Sequence, residues 1–81
     1  GVLLFSNPAS EKARVKMTVR ASFDDGENWP IARVLHSGPA AYSCLVALPQ
    51  NAVGCLYEAG EKSAYESIVF HRLPGSSLQL P

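Results

Sequence analysis

The sequence predicts an all-β fold, and three observations support that class. The segment 15–23 alternates apolar and polar residues with a period of two, which is typical of a half-buried strand. Runs of β-favouring residues are separated by turn-forming residues at intervals of about 8 to 15 positions. No segment has the 3.6-residue period of an amphipathic helix. The 81 residues are therefore expected to form at most one small β unit with a modest core.

Six strands are predicted, each bounded by residues that favour turns and loops. They cover residues 2–5, 15–23, 30–35, 41–48, 53–58 and 65–73. Ser37-Gly38-Pro39 is expected to end the third strand, because Gly and Pro interrupt regular pairing. The folded part is assigned to residues 1–73, and residues 74–81 are expected to form a flexible tail.

The turn between the second and third strands contains residues that can bond to each other. Asp24 can turn its carboxylate back onto nearby backbone N–H groups, and Ser22 adds a hydroxyl partner. Gly26 supplies the positive φ that such a turn requires. Trp29 is a large apolar anchor where the chain re-enters the sheet. The strands on both sides indicate a hairpin, and the pair Asp24 and Asp25 is assigned to the turn rather than to a calcium site.

Composition excludes several classes of partner. Seven basic and seven acidic residues give a net charge of zero, which argues against a nucleic acid or an anionic membrane as partner. No apolar run approaches the roughly 20 residues that span a bilayer. The first residues have no signal-peptide features and no initiator Met, so the chain is expected to be a fragment of a longer protein.

The two cysteines are interpreted as small buried apolar residues rather than as a disulfide or a metal site. Cys44 and Cys55 lie on either side of a predicted hairpin turn, and the register of that hairpin is not fixed by the sequence. No second Cys or His has zinc-like spacing. No metal and no cofactor are therefore expected.

Arg14, Tyr42 and Glu58 all lie at predicted strand ends, where a β scaffold presents functional groups. Taken singly, each has a structural explanation: Tyr42 as the edge of a core, and Arg14 and Glu58 as solvated charges. Tyr57 and Tyr65 are expected to pack between sheets.

Several short motifs together carry a family resemblance. The pattern Ser-x-Asp-x-Gly-x-x-Trp of Ser22, Asp24, Gly26 and Trp29 resembles the Asp box of sialidase-type β-propellers. Arg14 precedes Tyr42 by 28 positions, and Glu58 follows Tyr42 by 16. The motifs appear in the order Phe5-Ser6-Asn7-Pro8, Arg14, the Asp box, Ala41-Tyr42-Ser43 and Cys55-Leu56-Tyr57-Glu58. Over residues 3–73 this series is similar to the C-terminal end of a bacterial-type exo-α-sialidase (neuraminidase).

The resemblance implies about one and a half blades of a six-bladed β-propeller. The complete enzyme would remove terminal sialic acid from glycoproteins, glycolipids and oligosaccharides with retention of configuration. Tyr42 would be the nucleophile, Arg14 one of three arginines that bind the substrate carboxylate, and Glu58 the partner of another of those arginines. The base Glu and the other two arginines would lie outside this chain. The fragment is therefore expected to need the remaining blades and to be inactive alone.

The residue types suit that chemistry. Sialic acid carries a carboxylate on its anomeric carbon, so an Asp or Glu nucleophile would approach with a like charge, whereas a phenol is neutral at rest. Arg matches a carboxylate because its planar fork donates two parallel hydrogen bonds.

Three alternative functions remain at this point: a non-catalytic carbohydrate-binding propeller, a trans-sialidase, and another glycosidase on the same scaffold. The resemblance favours a secreted or cell-surface location.

Overall fold

The computed structural model describes residues 2–81; Gly1, the first residue of the predicted domain, lies outside the described residues. These residues form five antiparallel strands in the order β1-β2-β3-β4-β5, so every strand pairs with its neighbours in sequence. A short 3-10 helix follows, and no α-helix occurs in residues 2–81. The all-β class is thus confirmed. The elements are β1 Leu3–Pro8, β2 Val15–Ser22, β3 Ile31–Leu48, β4 Ala52–Ala59, β5 Ser67–Leu73 and the 3-10 helix Gly75–Leu78.

The expected break at Ser37-Gly38-Pro39 is wrong, because β3 runs through it as one strand of 18 residues. The structure therefore has five strands where six were predicted. The first half of β3 pairs with β2 as far as Pro39, and the second half pairs with β4 from Ala40 onwards. Pro39 has no N–H to donate, and it is tolerated because the strand changes partner at this position.

Backbone hydrogen bonds connect the point where β3 changes partner to the segments that start β2 and follow β4. The N–H of Ala40 donates to the carbonyl of Arg14 at 2.8 Å, and the N–H of Gly60 donates to the carbonyl of Pro39 at 3.1 Å. One strand thus belongs to two sheets, with β1 and β2 on one side and β4 and β5 on the other.

The core includes one face of β2, where the predicted alternation holds only in part, because Thr18 and Ser22 on the opposite face are buried as well. Met17, Val19 and Ala21 are fully buried, while Val15 is half-buried. Buried Thr18 satisfies its hydroxyl by donating to the carbonyl of Lys16 at 2.7 Å. The other core members come from β3, β4, β5 and the 3-10 helix: Ile31, Ala40, Val53, Cys55, Tyr57, Ala59, Leu73 and Leu78.

Residues 74–81, expected to be a flexible tail, contribute to this core through the 3-10 helix. Leu78 has no exposed surface and Leu80 packs against the buried cluster. Gly75 permits the close approach, because a Cβ there would collide with the backbone carbonyl oxygen of Asn51. The side-chain amide of Asn51 also donates to the carbonyl of Pro81 at 3.0 Å.

The turn after β2 has the internal bonding predicted for it. The Ser22 hydroxyl donates to Asp24 Oδ1 and accepts from the N–H of Gly26, both at 2.8 Å. Asp24 also accepts from the backbone and side-chain N–H groups of Asn28, each at 2.8 Å. Gly26 has a φ of 94°. Trp29 donates from its ring N–H to the Gly26 carbonyl at 3.1 Å, so the turn closes the β2–β3 hairpin.

We expect Asp24→Asn to lower the melting temperature of the protein at neutral pH by a few degrees. The Asn28 backbone N–H, then its side-chain amide and the Ser22 hydroxyl, hold the pKa of Asp24 at about 2 against an ordinary value of 3.8. Because the folded pKa is depressed, the stabilisation is present above pH 3.8 and disappears as the pH falls towards 2. Thermal unfolding from pH 7 downwards, with the neighbouring charge removal Glu27→Gln as control, measures this. Equal melting temperatures for wild type and Asp24→Asn at pH 7 would contradict it.

One face of the β3–β4–β5 sheet is apolar and uncovered in residues 2–81. Val46, Leu56, Ile68 and Phe70 remain 47%, 47%, 71% and 53% exposed. An exposed apolar face of this kind is suited to packing against another surface. No helix in the described chain is long and apolar enough to cross a membrane.

The cysteines lie on opposite faces of the second hairpin. Cys44 pairs in register with Leu56, and Cys55 pairs with Leu45, so adjacent pairs alternate between the two faces. Both thiols are free. The expectation of two buried cysteines is correct for Cys55 and wrong for Cys44, which is exposed because it points to the uncovered face. Within residues 2–81 there is no cluster of metal-ligating side chains.

Candidate active site

The change of partner in β3 brings Arg14, Tyr42 and Glu58 together. Arg14 directly precedes β2, and its carbonyl accepts the N–H of Ala40. Tyr42 follows Ala40 by two residues, and Glu58 directly precedes Ala59, the register partner of Ala40. Three strand segments thus meet at one point, and each supplies one of these side chains.

A β-bulge determines where Tyr42 points. Ala40 pairs with Ala59 and the next register pair is Ser43 with Tyr57, so two residues of β3 face only Glu58 on β4. Bulges of this kind re-aim a side chain and leave one residue out of the ladder. Tyr42 is that residue here: its side chain is 71% exposed. Its backbone N–H donates to Glu58 Oε1 at 3.3 Å instead of to a ladder carbonyl.

Arg14 lies against the Tyr42 ring. Its guanidinium carbon is 5.4 Å from the ring centroid, which is within the range of a cation–π contact. Interaction with the Tyr42 phenol, followed by that with Tyr65, raises the pKa of Arg14 above its ordinary range. Arg14 therefore carries a full positive charge beside an exposed phenol.

Sequence reasoning missed one residue of this cluster, Tyr65. The Arg14 Nη1 donates to the Tyr65 hydroxyl at 2.7 Å, across 51 positions of sequence. Tyr57 is buried as expected, but the expectation that Tyr65 packs between sheets is wrong, since Tyr65 is 60% exposed. No local pattern marks Tyr65; only its place in the loop between β4 and β5, opposite the start of β2, would have indicated it.

The Asp-box residues lie away from this cluster. Ser22 ends β2 and Asp24, Gly26 and Trp29 follow it, whereas Arg14 lies at the start of the same strand. Eight residues of strand separate the two sites by roughly 25 Å at the usual rise per residue. The Trp29 ring packs edge-on against Phe5, with centroids 6.3 Å apart, so these residues are part of the scaffold.

Comparison with known proteins gives one consistent family name. No family model matches the chain. It is 48% identical over 64 residues to a sialidase of Micromonospora viridifaciens, a match that covers 79% of this chain. The chain is a sialidase-type segment. It is also 35% identical over 75 residues to human Sialidase-4, a match that covers 84% of the chain.

A solved structure supports the same assignment at the level of the fold. The sialidase segment superposes on the Hadza microbial sialidase Hz136 with a TM-score of 0.83 and 36% identity, over 95% of its length. Its antiparallel sheets thus match part of a sialidase propeller. The segment spans only 10% of the Micromonospora protein, 16% of human Sialidase-4 and 14% of the Hz136 chain.

Proposed function

We propose that this segment acts within a complete sialidase propeller that removes terminal sialic acid from glycoproteins, glycolipids and oligosaccharides, with retention of configuration. The observation that carries the proposal is the convergence of Arg14, Tyr42 and Glu58 at the point where β3 changes sheet. The family name of the relatives supports the same reaction.

Tyr42 is the proposed nucleophile. Its phenol oxygen forms a bond to the anomeric carbon while the bond to the leaving glycan breaks. The phenol proton passes to a base outside this chain, and the leaving glycan oxygen takes a proton from an acid that is also outside this chain. Water then cleaves the glycosyl-tyrosine, and two displacements give net retention. A neutral phenol suits the task because it approaches the substrate carboxylate without charge repulsion. The exposure of Tyr42 at the bulge supports this role.

Arg14 and Glu58 are the proposed supporting residues. Arg14 binds the substrate carboxylate, for which its fork of N–H donors is suited. Glu58 holds a second arginine from elsewhere in the propeller. A carboxylate has two oxygens with several acceptor positions, so accepting the Tyr42 N–H leaves Glu58 with capacity for that arginine. No metal or cofactor has a part in this mechanism.

Covalent trapping tests the proposal. We expect a sialosyl fluoride with a second fluorine at C3 to label the full-length protein once, because fluoride is a good leaving group and the C3 fluorine slows hydrolysis of the intermediate. Peptide mass spectrometry should find the sugar on Tyr42. Labelling of another residue would overturn the assignment of Tyr42. Binding without labelling or turnover would instead indicate a carbohydrate-binding propeller.

A further inference from the structure

We propose that Tyr65 is a positioning residue of the carboxylate-binding site, and that its hydroxyl fixes the Arg14 guanidinium above Tyr42. This inference rests on the proposed sialidase function. Tyr65 accepts an N–H of Arg14 at 2.7 Å, and the same guanidinium stacks on Tyr42 with its central carbon 5.4 Å from the ring centroid. The Arg14 guanidinium is thus restrained by two phenols, one on β3 and one in the loop between β4 and β5.

The choice of a phenol over a carboxylate has a physical reason. The groups that contact the Arg14 guanidinium are two neutral phenols: Tyr65 accepts its hydrogen bond at 2.7 Å, and the Tyr42 ring lies against it. An Asp or Glu in place of Tyr65 would neutralise the guanidinium and compete with a substrate carboxylate for it. A neutral hydroxyl restrains one N–H and leaves the charge and the other donors of Arg14 to the ligand. Tyr65 therefore orients Arg14 without weakening its attraction for an anion.

The loop that carries Tyr65 is organised by its own hydrogen bonds. The Glu66 carboxylate accepts hydrogen bonds from the backbone N–H groups of Ser63 and Lys62, at 2.5 and 2.6 Å. These bonds lower the pKa of Glu66, and the bond from Ser63 has the larger effect. The N–H of Tyr65 donates to the Ser63 hydroxyl at 3.2 Å. Gly60 is required at the start of the loop, because a Cβ there would collide with the carbonyl oxygen of Ser63.

Hydrogen bonds at the start of the loop connect it to the rest of the scaffold. The Gly60 carbonyl lies 3.0 Å from His36 Nε2 on β3, and the N–H of Gly60 donates to Pro39. Ala64, next to Tyr65, is buried. A loop held in this way presents Tyr65 in a defined place although the ring itself is 60% exposed. Such an arrangement suits a residue whose task is to position another side chain.

We expect Tyr65→Phe in the full-length protein to raise KM about 10-fold while kcat changes less than about twofold. The substitution keeps the ring and removes only the hydroxyl that restrains Arg14. A hydrogen bond to a charged group is stronger than one between neutral groups, and the exposure of this pair limits the effect of losing it to about a factor of ten. Because Arg14 would hold the carboxylate equally in the ground state and the transition state, the loss falls on KM.

Two comparisons separate positioning from a structural effect. Ser67→Ala removes a nearby hydroxyl that donates to the Ala59 carbonyl at 3.0 Å, and it should leave KM unchanged. In an Arg14→Lys background, Tyr65→Phe should have no further effect on KM, because the two residues act as one unit. Thermal unfolding should show that Tyr65→Phe melts within a degree or so of wild type.

The outcomes distinguish this inference from the function on which it rests. If the wild-type protein does not release sialic acid, both are overturned. If it does, and Tyr65→Phe keeps the wild-type KM, only the role of Tyr65 is overturned. A rise in KM that Ser67→Ala reproduces, or one that persists in the Arg14→Lys background, would likewise overturn it.

Discussion

Replacing Tyr42 with Phe in the full-length protein is expected to abolish turnover, with kcat lower by at least about 1,000-fold, since the proposed nucleophile is lost. The substitution removes one oxygen from a side chain that is 71% exposed. The hydrogen bond to the Glu58 carboxylate comes from the backbone N–H of Tyr42, so the substitution keeps it. The fold should therefore be kept, and hydrolysis of a fluorogenic sialoside together with thermal unfolding measures both properties.

Tyr65→Phe is the matched control, because it removes a phenol oxygen from the same cluster. It should alter KM and spare kcat, whereas Tyr42→Phe should abolish kcat. Wild-type hydrolysis rates in Tyr42→Phe would exclude Tyr42 as the nucleophile. Substrate binding retained by an inactive Tyr42→Phe protein would fit the loss of chemistry alone.

The 81-residue chain by itself is expected to release no sialic acid. Its candidate site is an open surface: the depression beside Tyr42 has a volume of about 220 Å³ and is lined on one side by the exposed apolar residues Leu56 and Ile68. Arg14 alone, without the other two arginines of the proposed site, would bind a carboxylate weakly. The base that accepts the proton of Tyr42 would also be absent. Incubation of the purified chain with a fluorogenic sialoside measures this.

The uncovered apolar face also predicts self-association of the isolated chain. Exposed sheet faces and unpaired edges associate when no neighbour covers them. Val46→Lys places a charge on that face, away from the candidate site, and should reduce association, as light scattering would show. The monomeric variant should still be inactive, so that aggregation is not the reason for the inactivity. Sialic acid release by either form would show that the other blades are not needed.

Local patterns were sufficient to predict the hairpin turn and the core strand. The bonding groups of Ser22, Asp24 and Gly26 lie within five positions, and the alternation through Met17 and Val19 reports one buried face directly. The three candidate site residues were found through the family resemblance rather than through local chemistry. Their meeting in space is a result of the strand pairing.

What the sequence did not reveal depends on long-range geometry. Gly38 and Pro39 normally interrupt a strand. Here β3 changes its pairing partner at that point, so the absence of an N–H on Pro39 costs no hydrogen bond of the ladder. The bulge at Tyr42 is set by the register with β4, which no local pattern encodes. Tyr65 contacts Arg14 across 51 positions, and a single Tyr in a polar loop gives no signal of such a contact.

The continuous strand β3 also limits which changes in chain length this segment can accept. Side chains alternate along a strand, so one inserted or deleted residue turns all later ones to the opposite face. Because β3 is paired with β2 on one side of Pro39 and with β4 on the other, no loop lies between the two sheets to absorb the change. A single insertion between Pro39 and Tyr42 would move the proposed nucleophile away from Arg14, whereas the loop at residues 60–66 can vary in length as long as Tyr65 still reaches Arg14. Variation in length along this segment should therefore be concentrated in its turns and absent from the middle of β3.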